Sequence, residues 1–316
     1  MSLRGAEHSE AKRQSSSHVN GWLRATRPRT VLLSLSGVMM GGVLASIERL
    51  YYPAPIVFAA LTAILLQILS NLANDYGDFK KGVDNAERTG PQRVMQEGAL
   101  SEKQMRIGIA STVLLCIGSG LLLLLSVFLS QGSFEKLIIF AILGVAAIAA
   151  ALFYTLGKHP YGYHGLGDLF CFLFFGLVAV VGTYYLSVPD FDPLVLLPAI
   201  AMGGLSTAVL NINNMRDYKN DKACGKNTLV VKMGLEKAFV YHVFLIVTPF
   251  LCLTAFLILK GAPYYTYAFW LLFPFFLMDL ITIRRTLATG VPDPRLPKQV
   301  RQTFLLTLVF GLTLLV

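Results

Sequence analysis

The sequence predicts an all-α polytopic membrane protein with about nine transmembrane helices, arranged as two pseudo-repeated four-helix halves plus a final helix. Three observations predict it. Of the 316 residues 55% are hydrophobic and only 14% are charged, against about 25% charged in an ordinary soluble domain; mean hydropathy is +0.61. Apolar runs of about 20 residues, the length that spans a bilayer core, recur along the chain. Lys and Arg gather in alternate connections. A chain this apolar is neither a cytosolic globular protein nor a disordered one.

Residues 1–20, with Ser15-Ser16-Ser17 and mixed charges, lack the apolar core of a signal peptide. They read as a mobile polar tail ahead of a single transmembrane domain over 21–316, with pseudo-halves at about 21–160 and 161–285. The spans read 30–47, 54–73, 107–129, 137–156, 169–188, 193–212, 238–259, 264–283 and 303–316. The last would be only about 21 Å long at 1.5 Å per residue, so it must begin nearer Val300 or sit in a thinned bilayer.

With the N-terminus cytoplasmic, the inner segments 1–29, 74–106, 157–168, 213–237 and 284–302 hold 24 of the 27 Lys and Arg. Only Arg49, Lys136 and Lys260 fall outside. The net charge of +9 therefore follows membrane topology and does not indicate a nucleic-acid partner. The cysteines Cys116, Cys171, Cys224 and Cys252 are far apart and form no CxxC pair, which argues against zinc or a disulfide framework. Two inner connections, 74–106 and 213–237, are long and polar, and long loops in a compact protein tend to carry function.

Span two runs into Asn74-Asp75-Tyr76-Gly77-Asp78-Phe79-Lys80, and span six into Asn213-Asn214-Met215-Arg216-Asp217-Tyr218-Lys219-Asn220-Asp221. Asn74 aligns with Asn213, Asp78 with Asp217 and Lys80 with Lys219, a pattern expected of an internal duplication with parallel topology. On continued helices, Asp75 and Asp78 (i,i+3) and Asp217 and Asp221 (i,i+4) each share a face. Two unit charges 4 Å apart at an effective dielectric of 20 interact by about 4 kcal/mol, so converging carboxylates call for cations. Mg²⁺ typically takes one or two carboxylates plus substrate phosphates. Asp75, Asp78, Asp217 and Asp221 are the candidate metal ligands. Lys80, Arg88, Arg93, Lys158 and Lys226 are candidates for a phosphate cradle. Asn74 and Asn214 join the site, because amides at the end of a membrane helix are costly unless they bind something.

These motifs resemble those of the UbiA-type intramembrane aromatic prenyltransferases, whose hallmark is NDxxDxxxD and DxxxD after the second and sixth helices. Gly82 stands where many members carry the last Asp, with Asp84 two residues on. Arg27-Pro28-Arg29-Thr30, the Asp75–Asp84 stretch, Gly90-Pro91-Gln92-Arg93 through Gly98, Phe153-Tyr154-Thr155, Tyr161 through Asp168 and Gly225 through Leu229 resemble the 1,4-dihydroxy-2-naphthoate prenyltransferases. Leu156, Lys158, His159 and Asp168 depart from that pattern.

The resemblance implies transfer of a polyprenyl group from polyprenyl diphosphate to 1,4-dihydroxy-2-naphthoate, with loss of diphosphate and CO₂, giving demethylmenaquinone. It implies Mg²⁺, a lipid bilayer, no obligate protein partner and a bacterial plasma membrane, with the active-site loops cytoplasmic. Tyr154, with Tyr76 and Tyr218, is a candidate to stabilise an allylic cation, and Asp84 or Asp168 to handle the phenol proton. Gly37, Gly41, Gly42, Gly203 and Gly204 either open a groove for the prenyl tail or allow close helix packing. Asp279 and His242 fall inside spans, where an ionisable group is a functional candidate. Alternatives stay open: sibling acceptors such as 4-hydroxybenzoate or homogentisate, or a cation or metabolite transporter. The transporter would want ionisable groups at mid-membrane, where most spans have none.

Overall fold

A computed structural model describes residues 19–85, 88, 90, 92–289 and 296–316. Among the described residues there is no strand. Nine long helices follow one another among the described residues: α1 (Pro28–Ser46), α2 (Pro53–Lys80), α3 (Glu102–Gln131), α4 (Phe134–Phe153), α5 (Gly167–Ser187), α6 (Leu196–Arg216), α7 (Leu235–Leu259), α8 (Phe273–Thr289) and α9 (Leu296–Leu315). Tighter 3₁₀ turns over Tyr264–Leu272 lead into α8, and the middle of α5, Phe172–Val181, is wound with wider π turns.

Among the described residues, eight helices are long and apolar enough to cross a bilayer. The ninth, α9, is longer than its apolar run: it begins at Leu296 and holds 20 residues, about 30 Å of helix. Lys298 and Arg301 lie in its first turns. Of the polar segment 1–20, residues 1–18 lie outside the described residues, and Val19 already opens a helical stretch that breaks at Arg27.

Local signals explain the boundaries. Pro28 and Pro53 occupy the first turns of α1 and α2, where a missing N–H costs nothing. Ser101 caps α3 in a reciprocal capping box with Gln104. Gly132, with φ +63°, ends α3 in the left-handed conformation.

Hydrophobic sequestration does not drive helices together within lipid, so close backbone approach matters. A Cβ on Gly37 would lie 2.6 Å from the Phe175 carbonyl oxygen, and one on Gly41 2.4 Å from that of Val180. Gly176 and Gly203 meet where α5 crosses α6. Gly204 abuts Pro249 of α7, and Gly42 abuts Ile56 of α2. These five glycines from spans one and six therefore serve helix packing.

The largest core lies between α6, α7, α8 and α9, with Phe250, Phe256, Phe269, Phe276 and Phe310 fully buried. Asp279 ties α8 to α9 through Lys298 at 2.5 Å. By contrast, α4 packs on α2 and α3 and has little contact with α5. A long cavity opens there.

Candidate active site

The first aspartate motif lies on α2, which runs on through the polar stretch to Lys80, so Asp75 and Asp78 share a helical face as expected. Both are buried. Asp75 is paired with Arg27 and, at 3.0 Å, with Arg93. Asp78 accepts a hydrogen bond from the Tyr163 hydroxyl at 2.7 Å and pairs with Lys226 at 3.0 Å. After Lys81 the chain turns through Gly82 at φ +69°. An aspartate there would sit in a strained left-handed conformation. The acid of this region is displaced to Asp84.

Arg27 is brought to Asp75 by a special backbone. At φ 48° it is the one non-glycine residue with positive φ among those described. Pro28 disfavours the right-handed helical conformation for its predecessor, so the chain breaks at Arg27 and restarts as α1. Such a conformation costs on the order of 1–3 kcal/mol and persists only where its surroundings enforce it. Here Asn71 donates to the Thr26 carbonyl at 2.9 Å and the Thr30 hydroxyl at 3.0 Å, clamping both flanks.

In the second motif, α6 ends at Arg216 and a short helix, Tyr218–Ala223, begins at once. Asp217 is the joint. The Asp221 N–H still donates to the Asp217 carbonyl at 2.8 Å, which preserves the i,i+4 relation. Arg216 grips the Asp217 carboxylate at both oxygens (2.8 and 2.6 Å), and Arg88 reaches it at 3.4 Å. The motifs meet directly: Asn220 donates to the Val83 carbonyl at 2.9 Å, and Lys226 crosses to Asp78.

The cluster holds equal numbers of acidic and basic side chains. Asp75, Asp78, Asp84, Asp217 and Asp221 face Arg27, Arg88, Arg93, Arg216 and Lys226. Burial opposes ionisation of Asp217, but Arg216 outweighs it and holds the carboxyl below its usual range. Burial also works against the charge on Lys226, yet Asp78 and Asp221 raise it overall. Asp84 and Asp221 are each pushed up to about 7, chiefly by burial and then by neighbouring aspartates, with partial relief from Arg88 and Lys226. Burial, then the Asp78 carboxylate, drives the Tyr163 phenol well above its ordinary value, so it stays a donor.

The cluster closes one end of a cavity of about 520 Å³. Arg27, Asn74, Asp78, Arg88, Arg93, Asn213, Asp217, Asp221 and Lys226 line that polar end. The remaining wall is apolar and runs along α3, α4 and α5 past Leu124, Phe140, Gly144, Phe174 and Val178. Leu121 and Val145 line it while also lying on the exposed face of the bundle, so the apolar part opens sideways.

A divalent cation with oxygen preference fits this donor set. The Asn74 amide oxygen is buried at the cavity without a hydrogen-bond partner, and three carboxylates line the same end. Among the described residues no three His, Cys, Asp or Glu side chains form a ready-made cage.

Residues 34–290 match the UbiA prenyltransferase family. The chain belongs to that family. It is 38% identical over 313 residues to the 1,4-dihydroxy-2-naphthoate octaprenyltransferase of Haemophilus influenzae, covering 97% of this chain and 99% of that one. It is 39% identical over 299 residues to the enzyme of that name from Escherichia coli K12, covering 95% and 96%. A UbiA homolog from Aeropyrum pernix shares the fold with a TM-score of 0.63 at 14% identity, covering 90% of this chain and 96% of the other. One from Archaeoglobus fulgidus, solved with GPP and Mg²⁺, has a TM-score of 0.61 at 17% identity over 93% and 99%.

Within this UbiA fold, the residues singled out from sequence fall into three groups. Asn74, Asp78, Arg88, Arg93, Tyr154, Asp217, Asp221 and Lys226 line the cavity. Asp75, Asp84, Asp168 and Asn214 are buried but do not line it. Asp75 and Asp84 stand behind the wall against arginines. Asn214 is turned away, and its neighbour Asn213 faces in.

Lys80 and Lys158 lie outside the cluster. Lys80 is exposed and pairs with Glu102 at 2.9 Å. Two residues beyond Asp78, it necessarily points from the far side of α2. Lys158 is exposed on the 157–159 turn.

Sequence reasoning did not single out Arg27, Tyr163 or Arg216 as site residues. Arg27 had a signal, an arginine directly before a helix-opening proline. Tyr163 had none, because its partner Asp78 lies across the fold; Arg216 sits beside its partner Asp217 within the second motif.

Proposed function

We propose that this UbiA-family protein transfers a polyprenyl group from polyprenyl diphosphate to 1,4-dihydroxy-2-naphthoate in menaquinone biosynthesis. The carrying observation is identity of 38–39% over nearly the full length of two octaprenyltransferases for that acceptor. The cavity agrees with it: one end is built for a diphosphate, and the rest is an apolar trough open to the side.

Asp78, Asp217 and Asp221, with the Asn74 amide oxygen, would hold Mg²⁺, and Asp75 would support them from behind. When bound, the metal neutralises the diphosphate charge and makes it a better leaving group. Arg27, Arg88, Arg93 and Lys226 bind the diphosphate oxygens.

The apolar trough takes the isoprenoid chain and excludes water from the allylic carbon once its C–O bond breaks. Tyr154, buried at the junction of polar end and trough, presents a ring to that cation. The diphosphate leaves with the bonding pair. The ring carbon that bears the carboxylate attacks, and loss of CO₂ restores aromaticity, giving the quinol form of demethylmenaquinone.

The grouping of Lys and Arg supports a reading in which the aspartate end faces the cytoplasm at a bacterial plasma membrane. Lys136 and Lys260 sit at the opposite end, where Lys260 pairs with Asp192 at 2.6 Å.

The test is conversion of labelled prenyl diphosphate by purified protein across a panel of naphthoate, hydroxybenzoate and homogentisate acceptors. Dihydroxynaphthoate should be preferred, EDTA should abolish turnover, and Asp78→Ala and Asp217→Ala should each abolish it in a folded bundle. Turnover that survives EDTA, or preference for another acceptor, refutes the proposal.

A further inference from the structure

Asp84 is the most enclosed carboxylate of the cluster, with a side chain 0% exposed. It does not line the cavity. One of its oxygens, Oδ1, faces Arg88 Nε at 3.3 Å and Arg93 Nε at 3.7 Å. Those guanidiniums use their other ends elsewhere. Arg88 Nη2 reaches Asp217 of the second motif at 3.4 Å, and Arg93 Nη1 reaches Asp75 of the first at 3.0 Å. A single carboxylate thus backs two planar cations that point to opposite motifs.

The backbone around it is stitched to the second motif as well. The Val83 carbonyl accepts from Asn220 at 2.9 Å, and the Asn85 amide donates to Cys224 Sγ at 3.4 Å. From the far side of the loop, Gln96 donates to the Asn85 carbonyl at 2.8 Å.

We propose that Asp84 is a positioning residue: it locks Arg88 and Arg93 in the orientation that presents both guanidiniums to one diphosphate shared by the two aspartate motifs. This inference rests on the proposed prenyl-diphosphate reading. It replaces a role for Asp84 in handling the phenol proton, because the carboxylate lies behind the arginines and away from the cavity. Each guanidinium, flanked by Asp84 on one side and by a motif aspartate on the other, is limited in the directions its remaining N–H groups can take toward a phosphate. Freed from Asp84, each long side chain would spread over several rotamers.

Charge and position make opposite predictions for Asp84→Asn. The isosteric amide removes whatever negative charge the carboxylate carries, which by Coulomb's law alone can only tighten a polyanion. Loss of orientation weakens it.

The experiment is titration calorimetry of the purified full-length protein with inorganic pyrophosphate in MgCl₂, alongside steady-state kinetics. We expect Asp84→Asn to weaken pyrophosphate at least tenfold and to raise KM for prenyl diphosphate similarly, with KM for the acceptor within twofold. In an Arg88→Gln/Arg93→Gln background, Asp84→Asn should cause no further loss. Pyrophosphate binding that is unchanged or tighter overturns the proposal, as does a fall in kcat with binding intact. If Asp84→Asn does not fold, Asp84→Glu keeps the charge but shifts the carboxylate; it should show a smaller loss of the same sign, and wild-type affinity there overturns the proposal equally. Failure of the wild type to prenylate the naphthoate would sink the functional reading and leave the pyrophosphate measurements able to judge Asp84.

Discussion

In a Lys226→Gln variant, the side chain that faces Asp78 at 3.0 Å keeps most of its length but loses its charge. At that distance and an effective dielectric of 20, the attraction removed is about 5–6 kcal/mol. Much of it is offset by the cost of burying the ammonium, and removing one partner of a buried pair typically costs about 3–5 kcal/mol. Asp78 keeps its hydrogen bond from Tyr163, so the lower end, about 3 kcal/mol, is expected. For a chain of this size that corresponds to a fall of roughly 4–5 °C in apparent melting temperature.

The same change removes one positive charge from the cluster. Pyrophosphate affinity in MgCl₂ should therefore fall at least tenfold, about 1.4 kcal/mol. Thermal unfolding in detergent and calorimetry read the two effects separately, and Lys226→Arg should recover most of both. A glutamine variant with wild-type melting and pyrophosphate affinity within twofold would show that the cross-motif pair does not organise the site.

Three further outcomes follow from the geometry. Asp84 and Asp221 hold their protons to about pH 7 in the fold, whereas the unfolded chain releases them near pH 4. The extra stability is thus full below pH 4 and is lost as pH rises through 7, on the order of 2–4 kcal/mol for each group. Unfolding of the ligand-free protein at pH 5 and pH 8 checks the sign, and greater stability at pH 8 contradicts it. Gly41→Leu should prevent correct packing of α1 on α5, because its Cβ alone would lie 2.4 Å from a backbone oxygen; yield of monodisperse protein reads this. Gly144→Trp should leave folding intact, since a Cβ there meets nothing within 4 Å, while filling the trough that Gly144 lines. Product chain length by mass spectrometry should shift to shorter isoprenoids, and an unchanged length distribution refutes that use of the trough.

Much of the site was legible because helical spacing and charge are local properties. Asp75 and Asp78 could be placed on one face from their i,i+3 spacing, and the two motifs could be matched by simple offset. The same spacing rule excludes Lys80, two residues from Asp78, although nearness in sequence groups it with the cradle. What spacing could not give was depth. Asp75 and Asp78 share a face, yet one lines the cavity and the other is held behind it by Arg27 and Arg93. Tyr163 reaches Asp78 from 85 residues away, a pairing to which neither local sequence points.

The sequence alone determined the membrane-spanning helices, the grouping of basic residues in alternate connections and the pair of acidic motifs, because bilayer thickness and helix periodicity act on short stretches of chain. Tertiary structure decided which glycines pack helices, which acids face the cavity and which arginines hold them. Those outcomes depend on how surfaces distant in sequence pack together, and a buried charge settles wherever the assembled bundle supplies its partner.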